Sequence, residues 1–286
     1  MTDRFQPIPL AELARAVPDG ALLAVPPDYS GVAVAATAAL LRRQVRDLRL
    51  YCLPYSTIQA DVLIGAGAVA EVEAAAVTLG EAGLAPRFSA AVESGVLRMR
   101  DSTCPALHAA LQATEKGVPF MPLRGLLGSD ILKHRPDWRV IANPFDPDDR
   151  IVALPAVQPD VALFHAAKAD AEGNVWIGRR RELATLAHAA RRTLVTVEEV
   201  VEGSFFERED SAANALPALY VEAVAVAPRG AWPCACPGLY DADMPALKAY
   251  AAAARTSEGF AGWLEGFLAG RLDAPAEVPA HESEPA

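Results

Sequence analysis

The feature that most constrains this chain is an alternation between residues 21 and 117. Short apolar runs of β type are separated by stretches with helical spacing. "ALLAV" (21–25) reads as a buried strand and "GVAVAATAALLRRQV" (31–45) as a helix. "DLRLYCL" (47–53) is a second strand, followed by a short helix through "IQADVLIG" (58–65). "VAEVEAAAV" (69–77) alternates as a strand does, "RFSAAVES" (87–94) is helical up to Gly95, "VLRMR" (96–100) is a strand, and "PALHAALQATEKG" (105–117) is a helix closed by Gly117. Strands joined through helices lie parallel, because only a crossover returns the chain to the same end of the sheet. The rhythm therefore predicts an α/β fold: an open, mostly parallel sheet covered by helices.

The second half is richer in strands: "RVIANPF", "RIVALPA", "DVALFHAAKA", "NVWIG", "RTLVTVEEV" and "YVEAVAVA". "KADAEGNV", with Gly173 and Asn174, is a hairpin turn. Two helices, "MPALKAYAAAAR" and "EGFAGWLEGFLAG", precede a Pro/Glu/Ala-rich tail. Residues 1–270 are expected to form a single domain and 271–286 a disordered tail. The chain has 286 residues, 52% of them hydrophobic, enough for a large core without disulfide or metal staples. A net charge of −10, with "IGRRRE" (177–182) as the one basic cluster, argues against nucleic acid as the main partner. Local arginines still suit an anionic ligand. The N-terminus lacks a secretory pattern, and "GVAVAATAALL" (31–41) falls far short of the roughly 20 residues that span a bilayer. A cytoplasmic protein with no membrane partner is expected. Its four cysteines are expected to be free thiols, and Cys234 and Cys236 lack zinc-knuckle spacing, so no metal site is expected.

Several stretches could carry chemistry. In "RDSTCPALHAAL" (100–111), Cys104 stands at a helix start beside Pro105, and His108 follows one turn later on the same face. A thiol there is open to activation by the helix dipole. A plain helix start, capped by Ser102 or Thr103, accounts for the spacing more simply, because neither an oxyanion hole nor an orienting partner shows locally. In "MPLRGLLGSDIL" (121–132), Arg124 suits a carboxylate or phosphate, and Gly125, Gly128 and Ser129 allow close backbone approach. A structural loop with a surface arginine is the equal alternative. Gly65 and Gly67 make half a dinucleotide fingerprint and lack its third glycine. His165, Lys168 and Asp170 lie in or near a strand, where hydrogen-bonded structural roles are the expectation.

Five segments in order are more specific than any one: "DVLIGAGAVAEVE", "GLAPRFSAAVESGVL", "GVPFMPLRGLLGSDIL", "PDVALFHAAKADAEGNVWIG" and "GLYDADMPALKAYAAAA". Together they resemble the A (alpha) subunit of family I CoA-transferases, in the glutaconate CoA-transferase-like branch that includes steroid ring-opening CoA hydrolases. The resemblance implies an A subunit paired with a B subunit, as α2β2 or larger, acting on acyl-CoA. No tightly bound cofactor is implied, and the coenzyme A thioester is the substrate. The catalytic glutamate is expected on the B subunit. Arg124, Gly125, Gly128 and Ser129 match the family and would line the substrate site, together with Tyr29 and Ser30 of the first loop.

Departures accompany the match. Pro26, Pro27 and Asp28 stand where the family carries a glycine-rich loop, and prolines offer no amide N–H to a ligand. Pro54, Tyr55 and Ser56 replace a second glycine pair, and Trp232 stands where a histidine is common. Cys104 falls about where hydrolase-like members carry a catalytic glutamate, which makes it a candidate pocket residue. Glu93 also matches, but a solvated carboxylate in a last helical turn explains it. Transfer, hydrolysis by a related subunit, and non-catalytic acyl-CoA binding remain the readings to separate.

Overall fold

Parallel strands in the order β12-β10-β8-β1-β2-β3-β4 form the backbone of the computed structural model, which describes residues 5–271. The tail expected to be disordered lies outside the described residues, apart from Arg271. In chain order, α1 (Leu10–Arg15) leads into β1 (Leu22–Val25), α2 (Val34–Arg42), β2 (Leu48–Cys52), α3 (Ile58–Gly65), β3 (Val69–Ala74), α4 (Pro86–Glu93), β4 (Arg98–Asp101) and α5 (Cys104–Glu115). Next come β5 (Phe120–Leu123), α6 (Ile131–His134), β6 (Arg139–Asn143), β7 (Asp146–Pro155), β8 (Val161–Ala169) and β9 (Val175–Trp176). The remaining elements are α7 (Arg181–Ala189), β10 (Arg192–Val200), α8 (Glu209–Ala212), β11 (Ala215–Leu216), β12 (Ala223–Val226), α9 (Met244–Ala253) and α10 (Ser257–Leu268).

Alternate residues of the central strands enter different layers, as the period of two requires. Leu23, Val25, Leu48, Leu50, Leu163 and Leu194 pack in one layer with α1 and α2 residues such as Leu13 and Leu40. Ala24, Tyr51, Phe164, Val195 and Val197 pack in the other with Leu107 and Leu111 of α5 and Leu183 and Leu186 of α7. Both faces are therefore covered, and the near-continuous apolar strands follow from that. Tyr51 is fully buried in this second layer, and its hydroxyl donates to the Leu107 carbonyl at 2.9 Å.

Two features depart from the expected reading. β5, β7 and β6 form their own antiparallel sheet, in that order, so two of the expected second-half strands do not join the parallel one. β5 contains Pro122 and sits at an edge, where the missing N–H costs no ladder bond. The second feature is α7, a helix the strand-rich reading of this region passes over. Its Leu183, Leu186 and Ala187 are buried at helical spacing.

Topology positions the site. From β1 the chain moves to β2 on one side, and from β8 it moves to β10 on the other. The carboxyl ends of β1 and β8 thus border the point where connections diverge, the usual ligand crevice of an open α/β sheet. α5 and α7 cover the same face, and their N-termini come up to this edge.

Candidate active site

A cleft of about 460 Å³ opens at the β1/β8 divergence, lined by Ser30, His165, Trp176, Arg179, Arg180 and Cys236 among others. Its floor depends on a close backbone approach. After β1, the chain turns through Pro27 and Ser30, and the Gly31 carbonyl accepts the His165 amide at 2.7 Å. A Cβ on Gly31 would lie 1.9 Å from the His165 carbonyl oxygen, and its φ of +97° disfavours any side chain. Gly230 closes from another side, where a Cβ would sit 2.7 Å from the His165 ring.

His165 is fully buried, and both ring nitrogens are engaged: Nδ1 with Thr196 Oγ1 and Nε2 with Glu198 Oε1, each at 2.9 Å. Glu198 also accepts the Tyr240 hydroxyl at 2.6 Å and the Arg229 amide. Burial pushes its carboxyl up, but these hydrogen bonds outweigh burial and hold it below the ordinary glutamate range. Donor atoms of His165, Glu198 and Cys236 lie within 4.8 Å of one another. Burial, and then the charge of Glu198, push the Cys236 thiol up to about 12. Both ring nitrogens of His165 and both oxygens of Glu198 hydrogen-bond to protein groups, and through these bonds the cluster braces the floor.

The rim is built differently. Tyr29 lies under the Arg180 guanidinium, 5.4 Å from ring centre to Cζ, and meets Tyr55 edge-on at 6.1 Å. Tyr55 donates to Asp28 at 2.7 Å, and the Ser30 hydroxyl donates to Glu182 in the first turn of α7. Burial, followed by the charges of Glu182 and Asp28, raises the Tyr29 hydroxyl above its ordinary range. Burial and then the bond to Asp28 do the same for Tyr55. Cys104 is exposed within electrostatic reach of both tyrosines. Thr103 caps α5, accepting the Ala106 amide at 3.3 Å, so Cys104 is the first helical residue and Pro105 the second, one place later than the spacing suggests. Burial lowers the His108 imidazole below its usual range, against the pull of Glu182, which keeps it neutral at neutral pH. Among the described residues no hydrogen bond joins Cys104 to His108.

The coenzyme A transferase family model matches residues 9–227. This chain belongs to the coenzyme A transferase family. It is 32% identical to the A subunit of 3-oxoadipate CoA-transferase from Pseudomonas knackmussii over 266 residues, covering 91% of this chain and 92% of that one. The A subunit of glutaconate CoA-transferase from Acidaminococcus fermentans is 35% identical over 218 residues, covering 70% of this chain and 68% of the other. The crystal structure of glutaconate coenzyme A-transferase from that organism superposes with a TM-score of 0.85 at 28% identity, over 93% of this chain and 92% of that one. The mostly parallel, helix-covered sheet expected from the sequence is thus the fold of this coenzyme A transferase homologue.

Within it, the expected site residues divide between two places. Ser30 lines the cleft, Tyr29 lies under Arg180 beside it, and Cys104 lies within electrostatic reach of Tyr29 without lining the cleft. Arg124 lies at the end of β5 and lines a groove of about 630 Å³ with Phe120, Ile141, Asn143 and Phe145, which shares no lining residue with the cleft. Arg124 is 68% exposed and is held by Asp149, its Nε donating at 3.0 Å. Gly125, Gly128 and Ser129 are exposed beside it. The trio His165, Lys168 and Asp170 has three separate roles. Lys168 lies 5.2 Å from the Trp176 ring centre, and Asp170 ties the hairpin by accepting the Glu172 and Asn174 amides at 2.9 Å. Gly65 is a packing residue, since a Cβ there would lie 2.6 Å from Arg87 and Phe260. Glu93 is exposed, as a solvated carboxylate should be. Arg179, Arg180 and Glu182, all at the rim, escaped the sequence reading. Their signal was the apolar spacing of α7 directly after "GRRRE".

Proposed function

We propose that this chain is the A subunit of a heteromeric CoA-transferase acting on acyl-CoA, with the nucleophilic glutamate supplied by the B subunit. One observation carries the reading: no aspartate or glutamate is among the residues lining the cleft. Glu182 beside it already accepts the Ser30 hydroxyl, and Glu198 beneath it is engaged by His165 and Tyr240. The cleft offers cations, aromatic surface and a thiol, which a carboxylate from a B subunit would complement.

In that chemistry the partner's carboxylate attacks the thioester carbonyl and coenzyme A leaves as the thiolate, giving a mixed anhydride. The thiolate attacks the glutamyl carbonyl of the anhydride, releasing the first acid and leaving a glutamyl thioester. An acceptor carboxylate reverses both steps. Each addition develops an oxyanion, and splitting the exchange lowers each barrier. This chain orients the acyl group against the incoming glutamate. Arg124 keeps its expected substrate role only by giving up Asp149. Pairing as α2β2 or larger and a cytoplasmic location belong to the same proposal.

Hydrolysis is the second reading, favoured by His108, a neutral base beside Glu182 and one turn from Cys104. Co-expression with a B-type chain separates the readings. Transfer gives coenzyme A exchange that requires an acceptor carboxylate. Hydrolysis releases free coenzyme A without one. Failure to form a complex, or a complex that binds acyl-CoA without turnover, defeats both.

A further inference from the structure

Three residues able to ligate a metal meet at the floor of the cleft from three separate segments: His165 of β8, Glu198 of β10 and Cys236 of the 231–240 loop. One donor atom from each lies within 4.8 Å of the other two. His165 and Cys236 are 0% and 1% exposed, and the Glu198 side chain 12%. No short motif joins them, so cysteine spacing along the chain could not announce the cluster. An outer shell is already in place. Thr196 Oγ1 meets His165 Nδ1 at 2.9 Å, the Tyr240 hydroxyl donates to Glu198 Oε1 at 2.6 Å, and the Arg229 amide donates to Glu198 Oε2. Gly31 closes on the His165 backbone and Gly230 on its ring, which fixes the imidazole in place. Metal-bound histidines and carboxylates are oriented by such partners on the side away from the ion.

Independently of the transferase reading, we propose that His165 Nε2, Glu198 Oε1 and Cys236 Sγ bind one zinc ion, with the fourth position open to the cleft. One nitrogen, one oxygen and one sulfur suit this borderline-soft cation, and three protein ligands leave a tetrahedral ion one free position. His165 and Cys236 both line the cleft, so that position faces it and takes water or an anionic oxygen. Bonds of about 2.0–2.3 Å set tetrahedral ligand atoms about 3.4–3.6 Å apart, so the ion enters by side-chain displacements on the order of 1 Å. Only the hydrogen bond between Nε2 and Oε1, at 2.9 Å, is exchanged for metal bonds. The imidazole then carries its proton on Nδ1 and donates it to Thr196 Oγ1, while Cys236 releases its proton to solvent as the Zn–S bond forms. The thiolate and the Glu198 carboxylate together balance the charge of the ion.

The test uses the full chain, stripped of metal with a chelator and titrated with zinc against a chromophoric competitor. One equivalent should bind with a Kd below about 1 μM. Cobalt in place of zinc should give the near-ultraviolet charge-transfer absorption of a thiolate–cobalt bond. Cys236→Ala is expected to weaken zinc binding by at least about 100-fold and to abolish that band, because it removes a ligand outright. Thr196→Val should weaken binding by about 10–100-fold and keep the band, because it removes only the partner that orients the imidazole. Cys104→Ala should change neither, which separates this site from the exposed thiol. Zinc affinity unchanged in Cys236→Ala overturns the proposal, as does a thiolate band that is lost in Cys104→Ala instead. A wild-type chain left metal-free at micromolar zinc overturns it too. If circular dichroism shows that Cys236→Ala does not fold, Cys236→Ser replaces it. The wild-type cobalt spectrum needs no variant, and the lack of a thiolate band in it overturns the site by itself.

Discussion

The cleft and the groove differ less in size than in what their charges are doing. At about 460 and 630 Å³, both would admit a small ligand. The groove is the more apolar, with Phe145 95% exposed and Phe120 41% exposed, and its arginine is already neutralised by Asp149. The cleft rests on a saturated floor of His165, Glu198 and Tyr240 and carries arginines without acidic partners at its rim. A rigid base below uncommitted charge is what selective anion binding needs, because the protein spends nothing on breaking its own ion pair.

The largest expected effect breaks the floor. Gly31→Ala forces a Cβ into the His165 carbonyl at a φ of +97°, which should cost about 3 kcal/mol or more. For a chain of this size that lowers the melting temperature by roughly 6–12 °C. Gly125→Ala, beside Arg124, meets nothing within 4 Å and should stay within about 0.5 kcal/mol of wild type. Thermal unfolding of the two variants checks the contrast, and equal melting temperatures would show that the β1–α2 loop can move off β8.

A smaller effect probes the buried carboxylate. Glu198 is held below its ordinary range, so the folded state binds its proton more weakly than the unfolded chain does. Its contribution is complete above the unfolded value of about 4.3 and is lost as pH falls through that value and below. Glu198→Gln should destabilise the protein at pH 7 by about 1–3 kcal/mol, as expected for a buried hydrogen-bonding network that loses its charge. The gap between variant and wild type should shrink as pH is lowered from 6 to 3. Denaturant melts across that range measure it, and a pH-independent gap would mean that Glu198 acts through packing rather than charge.

How legible each region was in the sequence follows from the same contrast. The first four β-α units were readable because each is a local pattern, apolar strand then helical spacing. The β5–β7–β6 sheet was not separable, because its strands have the same local character as those of the main sheet and only long-range pairing tells them apart. Tyr29 and Ser30 were singled out through the family resemblance and Cys104 first through its place at a helix start; Ser30 lines the cleft, with Tyr29 beside it under Arg180 and Cys104 within electrostatic reach of Tyr29. Arg180 and Glu182 were not singled out because "GRRRE" was weighed only as the one basic cluster in an acidic chain, although the apolar spacing of α7 after it was available. Glu198 and Tyr240 were invisible for a deeper reason: a carboxylate late in a strand and a tyrosine in a Pro/Gly loop acquire meaning only when β10 and residues 231–240 meet at His165.

The smallest effect concerns the thiols, and it separates a reactive surface group from a nucleophile. Cys52 and Cys234 are fully shielded and pushed upward by burial, Cys52 to about 12, and Cys236 rises to the same level. Only Cys104 is exposed among the four. Folded protein should therefore release one equivalent of chromophore quickly from a disulfide reagent, and the Cys104→Ala variant none on the same time scale. More than one fast equivalent would mean that the 232–243 loop opens and exposes Cys234 or Cys236. Activity decides the rest. His108 is neutral but not bonded to the thiol, and Cys104 is not among the residues lining the cleft, so Cys104→Ala should cost less than about tenfold in kcat. Removing a true nucleophile costs several orders of magnitude more. A loss of that size, matched by alkylation that abolishes turnover, would move the covalent step from the partner subunit into this chain and turn the cleft from a binding wall into the reacting centre.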